Sequence, residues 1–509
     1  MTYKSIIRSL ILSSVVAIPT CLDNAGFAQD SPLTNVASDT SKKLKAVIPN
    51  KADEPRATPV TRDAMKQYLE DLKNRTPRIP LPEATPEEEK LAMEDPRTYG
   101  YEGRLRRVYF NETSVSNYLP FGGVSKTATP QSLSRSGPVD PKMSLDYAFK
   151  VRLFWIAARG NNCQYCLGHQ ESKLLAAGMT EDQIASLDSE WNVFPENEQV
   201  AFELARKLTL EPHLVAAGDI DACRKFYTDL QIIEMLGSIS GNNAINRWKE
   251  GAGIPQSGNG GNFGGATTES HSYLTDTSER FAKRSSKVVS VINNAADAAG
   301  DVSLRQSAPT QFQRPAFEKG AELQAKLASV KERTSRLPLV DEATAKEVLG
   351  ELVAGKSIEQ WHRLLANFPI AGKRFASGFI LAKELDAIPS ELQTKIDWVV
   401  ARQDRAWYAA SLALHQLKAA GLSIQAIESL GENLTLADLD LENPTAATRE
   451  QALLLVAKNL AASPIVLTDR QVEVAVKLAG PRAVAQTIHY TAFRAAFDRF
   501  TEAAGLGSP

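Results

Sequence analysis

An all-α fold, arranged as two tandem helical domains joined by a flexible linker, is predicted by three features of this 509-residue chain. Apolar residues recur at three-and-four spacing in segment after segment, and no stretch alternates as a strand does. The second half of the chain repeats the first. Between the copies runs Ser257-Gly-Asn-Gly-Gly-Asn-Phe-Gly-Gly265, whose glycines lose too much entropy to order without packing in return. Apolar residues make up 43% of the chain and charged residues 23%, the balance of a chain that buries a core.

Lys4 and Arg8, the apolar run Ser9–Ile18 and the small-residue end Gly26-Phe27-Ala28 read as a signal peptide over 1–28. The expectation is an exported protein, periplasmic or extracellular. No later segment approaches eighteen uncharged apolar residues, so no membrane insertion is expected after signal cleavage. Residues 29–58 are polar and without period, a disordered arm. The first helical domain is then 59–255, the linker 256–315 and the second domain 316–509. Lys and Arg number 58 against 60 Asp and Glu, which removes the electrostatic case for binding nucleic acid. The four cysteines, Cys21, Cys163, Cys166 and Cys223, are too few for a disulfide-stapled scaffold.

Glu87-Glu-Glu-Lys90 follows Pro86 as a solvated first helical turn. Asp146–Ala158 carries a helical period that Gly160-Asn161-Asn162 interrupts. Asn162 is read as the N-cap of a second helix, Cys163–Ala177, which Gly178 closes. Thr180-x-x-Gln183 is a capping box opening the next helix. Glu198–Leu208 and Asp219–Ile239 continue the 3.6-residue period. Trp155, Trp248 and Trp398 fall on helix faces and are read as core; Cys223 sits in an apolar helical pattern as a buried small residue.

The repeat is explicit. Arg75-Thr-Pro-Arg-Ile-Pro-Leu81 matches Arg333-Thr-Ser-Arg-Leu-Pro-Leu339. Trp155–Leu187 aligns without gaps on Trp398–Leu430, with eleven identical pairs that include Arg159/Arg402, Tyr165/Tyr408 and Gly178/Gly421. Ala244-x-x-Arg247-x-x-Glu250 matches Ala496-x-x-Arg499-x-x-Glu502. Three blocks in the same order read as an internal duplication.

Cys163-Gln-Tyr-Cys166-Leu-Gly-His169 is the constellation that can carry a reaction. On a helix the three side chains lie three apart and can approach one another. The helix dipole lowers the pKa of a thiol in the first turn, and an imidazole nearby can take the proton released. One thiolate can attack a peroxide oxygen and the second thiol can resolve the sulfenic acid as a disulfide. A passive disulfide is the bland alternative in an oxidising compartment. Two Cys and one His lack a fourth ligand for zinc, so neither metal nor other cofactor is expected.

Asn161-Asn162-Cys163-Gln-Tyr-Cys166-Leu-Gly-His169, with Leu174-x-x-Ala177-Gly178 and Ile184, resembles the core motif of the alkylhydroperoxidase (AhpD-like) and carboxymuconolactone decarboxylase superfamily. Arg78-Ile-Pro80 is similar to its lead-in, and Glu234-Met-Leu-Gly237 through Asn243-Ala-Ile-Asn246-Arg247-Trp248 to its closing helix. The resemblance covers 75–255 and, more weakly, 333–505. It implies two AhpD-like domains, homo-oligomers of helical subunits and an oxidoreductase with peroxiredoxin-type activity. Cys166 would be the peroxidatic thiol, Cys163 the resolving thiol and His169 part of the proton relay. The implied partners are a hydroperoxide substrate and an unidentified thiol reductant.

The sequence departs from the family pattern at two positions. Val151 stands where the family commonly has a Glu twelve residues before the first Cys, which directs attention to Glu171 or Glu234 as a substitute. Gln170 stands four residues after Cys166, where the family often has its His. The dipole argument favours Cys163 as nucleophile and the resemblance favours Cys166. In the second copy Ala406, Ala409 and Leu412 align with Cys163, Cys166 and His169, so that copy is expected to be structural, and His415 a surface or packing residue. A lactone-processing decarboxylase and a non-catalytic exported scaffold are the competing readings.

Overall fold

In the computed structural model the described residues are 52–56, 58–59, 62–95, 99–110, 120–122, 139–256, 288, 316–432 and 434–507. The signal peptide, most of the arm and nearly all of the linker lie outside them. Every regular element among the described residues is helical, so the chain is all-α. None of these helices is long and apolar enough to cross a membrane.

The first half contains α1 (Arg62–Asp71), α2 (Pro86–Glu94), α3 (Tyr101–Tyr109), α4 (Tyr147–Gly160) and α5 (Gln164–Ala176). It continues with α6 (Glu181–Ser189), α7 (Glu196–Leu210), α8 (Ala217–Arg224) and α9 (Asp229–Ala252). The second half opens with α10 (Gly320–Ser329), α11 (Glu342–Leu349), α12 (Gln360–Leu365), α13 (Ala371–Leu381) and α14 (Ser390–Asp404). It ends with α15 (Trp407–Ala419), α16 (Ile424–Ser429), α17 (Ala446–Ala461), α18 (Asp469–Ala479) and α19 (Pro481–Ala503).

Local chemistry explains the boundaries. Asp146 caps α4 by accepting from the Phe149 amide at 2.9 Å. The predicted Thr180–Gln183 capping box opens α6, and Thr85 with Glu88 forms another at α2, a helix with no buried residue. The helix expected over Asp219–Ile239 is two helices. The apolar period runs on through the break, but Thr228 makes a capping box with Gln231 and starts α9 afresh. Asn162 is likewise not the cap of α5. It adopts a left-handed conformation, φ 58°, and Cys163 takes the N-cap position without a side-chain bond to the helix. Asparagine tolerates that backbone region better than most residues. Its side chain is tied down on both sides, donating to the Arg56 carbonyl and accepting from Gln164, each at 2.9 Å.

The core is organised by α9 and α19, which pack along each other and are buried almost all round. Their close approach depends on Gly251: a Cβ there would lie 2.6 Å from Ile488 Cγ2. Trp155, Trp248 and Trp398 are fully buried, and Cys223 is buried beside them in the same core. Truncating such an indole to Ala typically costs about 3–5 kcal/mol, so these rings hold the packed helices in place.

Helices α5 and α15 begin and end 243 residues apart, and α1 and α10 do so 258 apart. The left-handed residues before α5 and α15, Asn162 and Arg405, share the 243 spacing. So do Cys163 (φ −87°, ψ 88°) and Ala406 (φ −81°, ψ 87°). Between the halves lies a buried polar seam. Arg247 donates to the Ala461 carbonyl at 2.7 Å, and Arg499 to the Thr209 carbonyl at 3.0 Å.

Candidate redox site

Both thiols sit where α5 starts, behind α4 and beneath α9. Cys163 is the N-cap residue and Cys166 lies in the first turn, with their sulfurs 2.7 Å apart as free thiols. Cys163 is inaccessible and Cys166 is 3% exposed. A disulfide would bring the sulfurs from 2.7 Å to about 2.05 Å.

Position at a helix start does not by itself make Cys163 acidic. Burial pushes its thiol well up, and the neighbouring Cys166 and the carboxylate of Glu250 push it further. Desolvation of a fully enclosed thiolate outweighs a dipole felt only in the first turn. Cys163 therefore stays protonated as a thiol.

His169 lies one turn beyond Cys166 on α5. Its Nδ1 is 3.1 Å from the Tyr165 carbonyl, and its ring stacks on Tyr165 at 4.4 Å between centroids. A carbonyl oxygen only accepts, so Nδ1 carries the proton and Nε2 holds the lone pair. Burial, with Lys249 and Lys173 nearby, lowers its pKa to about 3. The imidazole is neutral and weakly basic.

The sequence reading missed four charged neighbours. Lys173, two turns beyond Cys166 on α5, has its pKa lowered by burial to about 8, with Cys166 opposing the shift. The i, i+7 spacing from Cys166 was the available signal. Lys249 lies over the Tyr165 ring, 4.4 Å from its centroid, and pairs with Glu102, which also accepts from Trp248 Nε1 at 2.7 Å. Burial opposes charge on Glu102, but Lys249 and Arg106 overcome it and hold the carboxyl below its usual range. Glu250, buried and 3.2 Å from Arg75, completes the set.

Neither substitute carboxylate is free for proton transfer. Glu171 is enclosed between Arg62 and Lys66, which Glu181 also binds. Glu234 accepts from Lys150 at 2.7 Å and from the amides of Ser144 and Leu145. Gln170, at the family's His position, donates to the Cys166 carbonyl at 3.2 Å. No cluster of His, Cys, Asp and Glu able to hold a metal occurs among the described residues. In the second half Ala406, Ala409 and Leu412 occupy the equivalent stretch of α15, and His415 is exposed.

No protein-family model matches the chain, and no curated protein matches it.

Proposed function

We propose that this chain is an exported, AhpD-like dithiol protein that reduces hydroperoxides through Cys163 and Cys166. The observation that supports it is the pair of free thiols 2.7 Å apart at the head of α5. Cys166, in the first turn and near the Lys173 ammonium, attacks the distal peroxide oxygen. The O–O bond breaks, an alcohol leaves, and Cys166 becomes a sulfenic acid. Cys163, a thiol at rest, then attacks that sulfur as its proton passes to the departing hydroxyl, water leaves, and the disulfide holds the two electrons' worth of oxidation. Lys173, whose pKa of about 8 lies near neutrality, exchanges the proton, and His169 orients Tyr165 and the helix around it. An external dithiol must return the electrons. The repeated second half serves as packing partner to the first.

The complete burial of Cys163 favours a second reading, a passive thiol pair in an inherited helical scaffold. One experiment separates them. The reduced full chain is given cumene hydroperoxide while peroxide and free thiols are counted together. Loss of two thiols per peroxide, abolished in Cys166→Ser, is expected. Thiols that stay reduced, or peroxide loss unchanged in the variant, select the scaffold.

A further inference from the structure

A cavity of about 520 Å³ opens in the second half, against the helix that corresponds to the thiol helix of the first. Leu412, Ala413 and Gln416 of α15 form one wall, and Leu412 stands at the position His169 holds in α5. Trp361, Phe379 and Phe497 form the opposite wall, edge-packed at 5.2–6.1 Å between ring centroids. The volume and the aromatic lining suit a small molecule with an apolar body.

One buried cation faces this space. Arg494, 7% exposed, lies over Phe497 with its guanidinium carbon 4.3 Å from the ring centroid. Its Nε is 2.9 Å from Asp397. Asp397 is also held by the Tyr490 hydroxyl at 2.8 Å, which fixes the pair. The Nη groups of Arg494 make no hydrogen bond among the described residues; Asp498 Oδ1 lies 3.9 Å from Nη2. Burial pushes the Asp498 carboxyl well up, against the pull of Arg494. A planar fork with its outer donors unengaged matches a carboxylate.

His362 adds a second donor. Its Nδ1 accepts from the Glu359 amide at 3.0 Å, and burial with Lys356 nearby lowers its pKa to about 4. The neutral ring therefore carries its proton on Nε2. The carboxylate of Glu359 accepts from Trp361 Nε1 at 3.0 Å and from the Tyr408 hydroxyl at 3.3 Å. At the mouth, exposed Lys356 and Lys383 stand against exposed Glu384.

We infer that this cavity binds a small organic carboxylate with an apolar, ring-sized body, its carboxylate on the outer nitrogens of Arg494 and its body against Trp361, Phe379 and Phe497. The second half is then a ligand-binding copy and more than a packing partner. This assignment does not depend on the thiol chemistry of the first half.

Calorimetric titration of the full chain with sodium benzoate, and with benzyl alcohol at equal ionic strength, tests it. Benzoate is expected to bind with a dissociation constant on the order of 1 mM or tighter, and benzyl alcohol about tenfold more weakly or worse. Arg494→Lys keeps the charge and removes the fork, and should weaken benzoate about tenfold. Because Arg494 also holds Asp397, Leu412→Trp serves as a second variant. It fills the cavity from α15, leaves Arg494 in place, and should abolish benzoate binding without changing the far-ultraviolet circular dichroism. Absence of benzoate binding, equal affinity for the alcohol, or undiminished binding in Leu412→Trp would each overturn the assignment.

Discussion

Arg247 and Arg499, buried residues from opposite halves of the chain, both donate to the hydroxyl of Ser463, at 2.8 and 3.0 Å. They stand 252 residues apart but differ in their other partners. Arg499 forms a two-point ion pair with Asp404, at 2.6 and 3.0 Å, whereas Arg247 meets the amide of Asn161, the residue aligned with Asp404. Asp404→Ala is therefore expected to destabilise the chain by about 3–5 kcal/mol, because it strands a buried guanidinium. Asp404→Asn should cost less, since Asn161 already plays that part in the first half. Urea denaturation of both variants checks the order.

The two thiols should separate chemically. In Cys163→Ser, one equivalent of peroxide is expected to leave a sulfenic acid on Cys166 that a cyclic diketone traps. In Cys166→Ser no such label should appear. Mass spectrometry of the labelled peptide decides, and label on Cys163 in the second variant would reverse the assigned roles.

Lys173 should tune the reactivity of Cys166 through its charge. Below pH about 8 it is an ammonium and favours a thiolate nearby; above, it is neutral. Lys173→Met should slow alkylation of Cys166 at pH 7 by about threefold to tenfold. The gap should close toward pH 10. Iodoacetamide rates across that range, measured in a Cys163→Ser background, give the result.

His169 makes the fold acid-sensitive. Its pKa is about 3 in the fold against a reference value of 6.5, so the unfolded chain binds the proton more readily between those values. The neutral ring's contribution is complete above pH 6.5 and is lost as pH falls toward 3. His169→Gln should flatten this limb of the stability profile, read from melting temperatures between pH 7 and pH 4.

Glu171 belongs to a buried four-charge cluster with Arg62, Lys66 and Glu181. Burial opposes its charge, and the two cations overcome this and lower its pKa. Glu171→Gln is expected to destabilise the chain by about 3 kcal/mol or more while leaving thiol oxidation per folded molecule unchanged. A variant that folds normally but loses oxidation would make Glu171 the missing base.

The parts of this molecule that depend on local pattern were legible in the sequence. The helix read at Cys163–Ala177 is Gln164–Ala176, and the Thr180–Gln183 box is where its letters place it. Asn162 was misread because asparagine favours both caps and left-handed turns, and only the packed chain shows which preference prevails. The split of Asp219–Ile239 was written in Thr228-x-x-Gln231, but the apolar period masked it. Cys163, Cys166 and His169 share one helix, so their proximity followed from spacing. Glu102, Lys249 and Glu250 reach the same place from other segments, and a single sequence carries no trace of such contacts.

The side-by-side burial of α9 and α19 has a genetic corollary. Because the helix that closes the thiol-bearing half is itself packed on the last helix of the chain, damage to either half lowers the occupancy of one shared fold. A screen for loss of the thiol phenotype should return lesions scattered through the second half, near Asp404 or Arg499, far along the chain from any sulfur. Such alleles would be corrected by lower growth temperature or by stabilising changes elsewhere, whereas alleles at Cys163 or Cys166 would not.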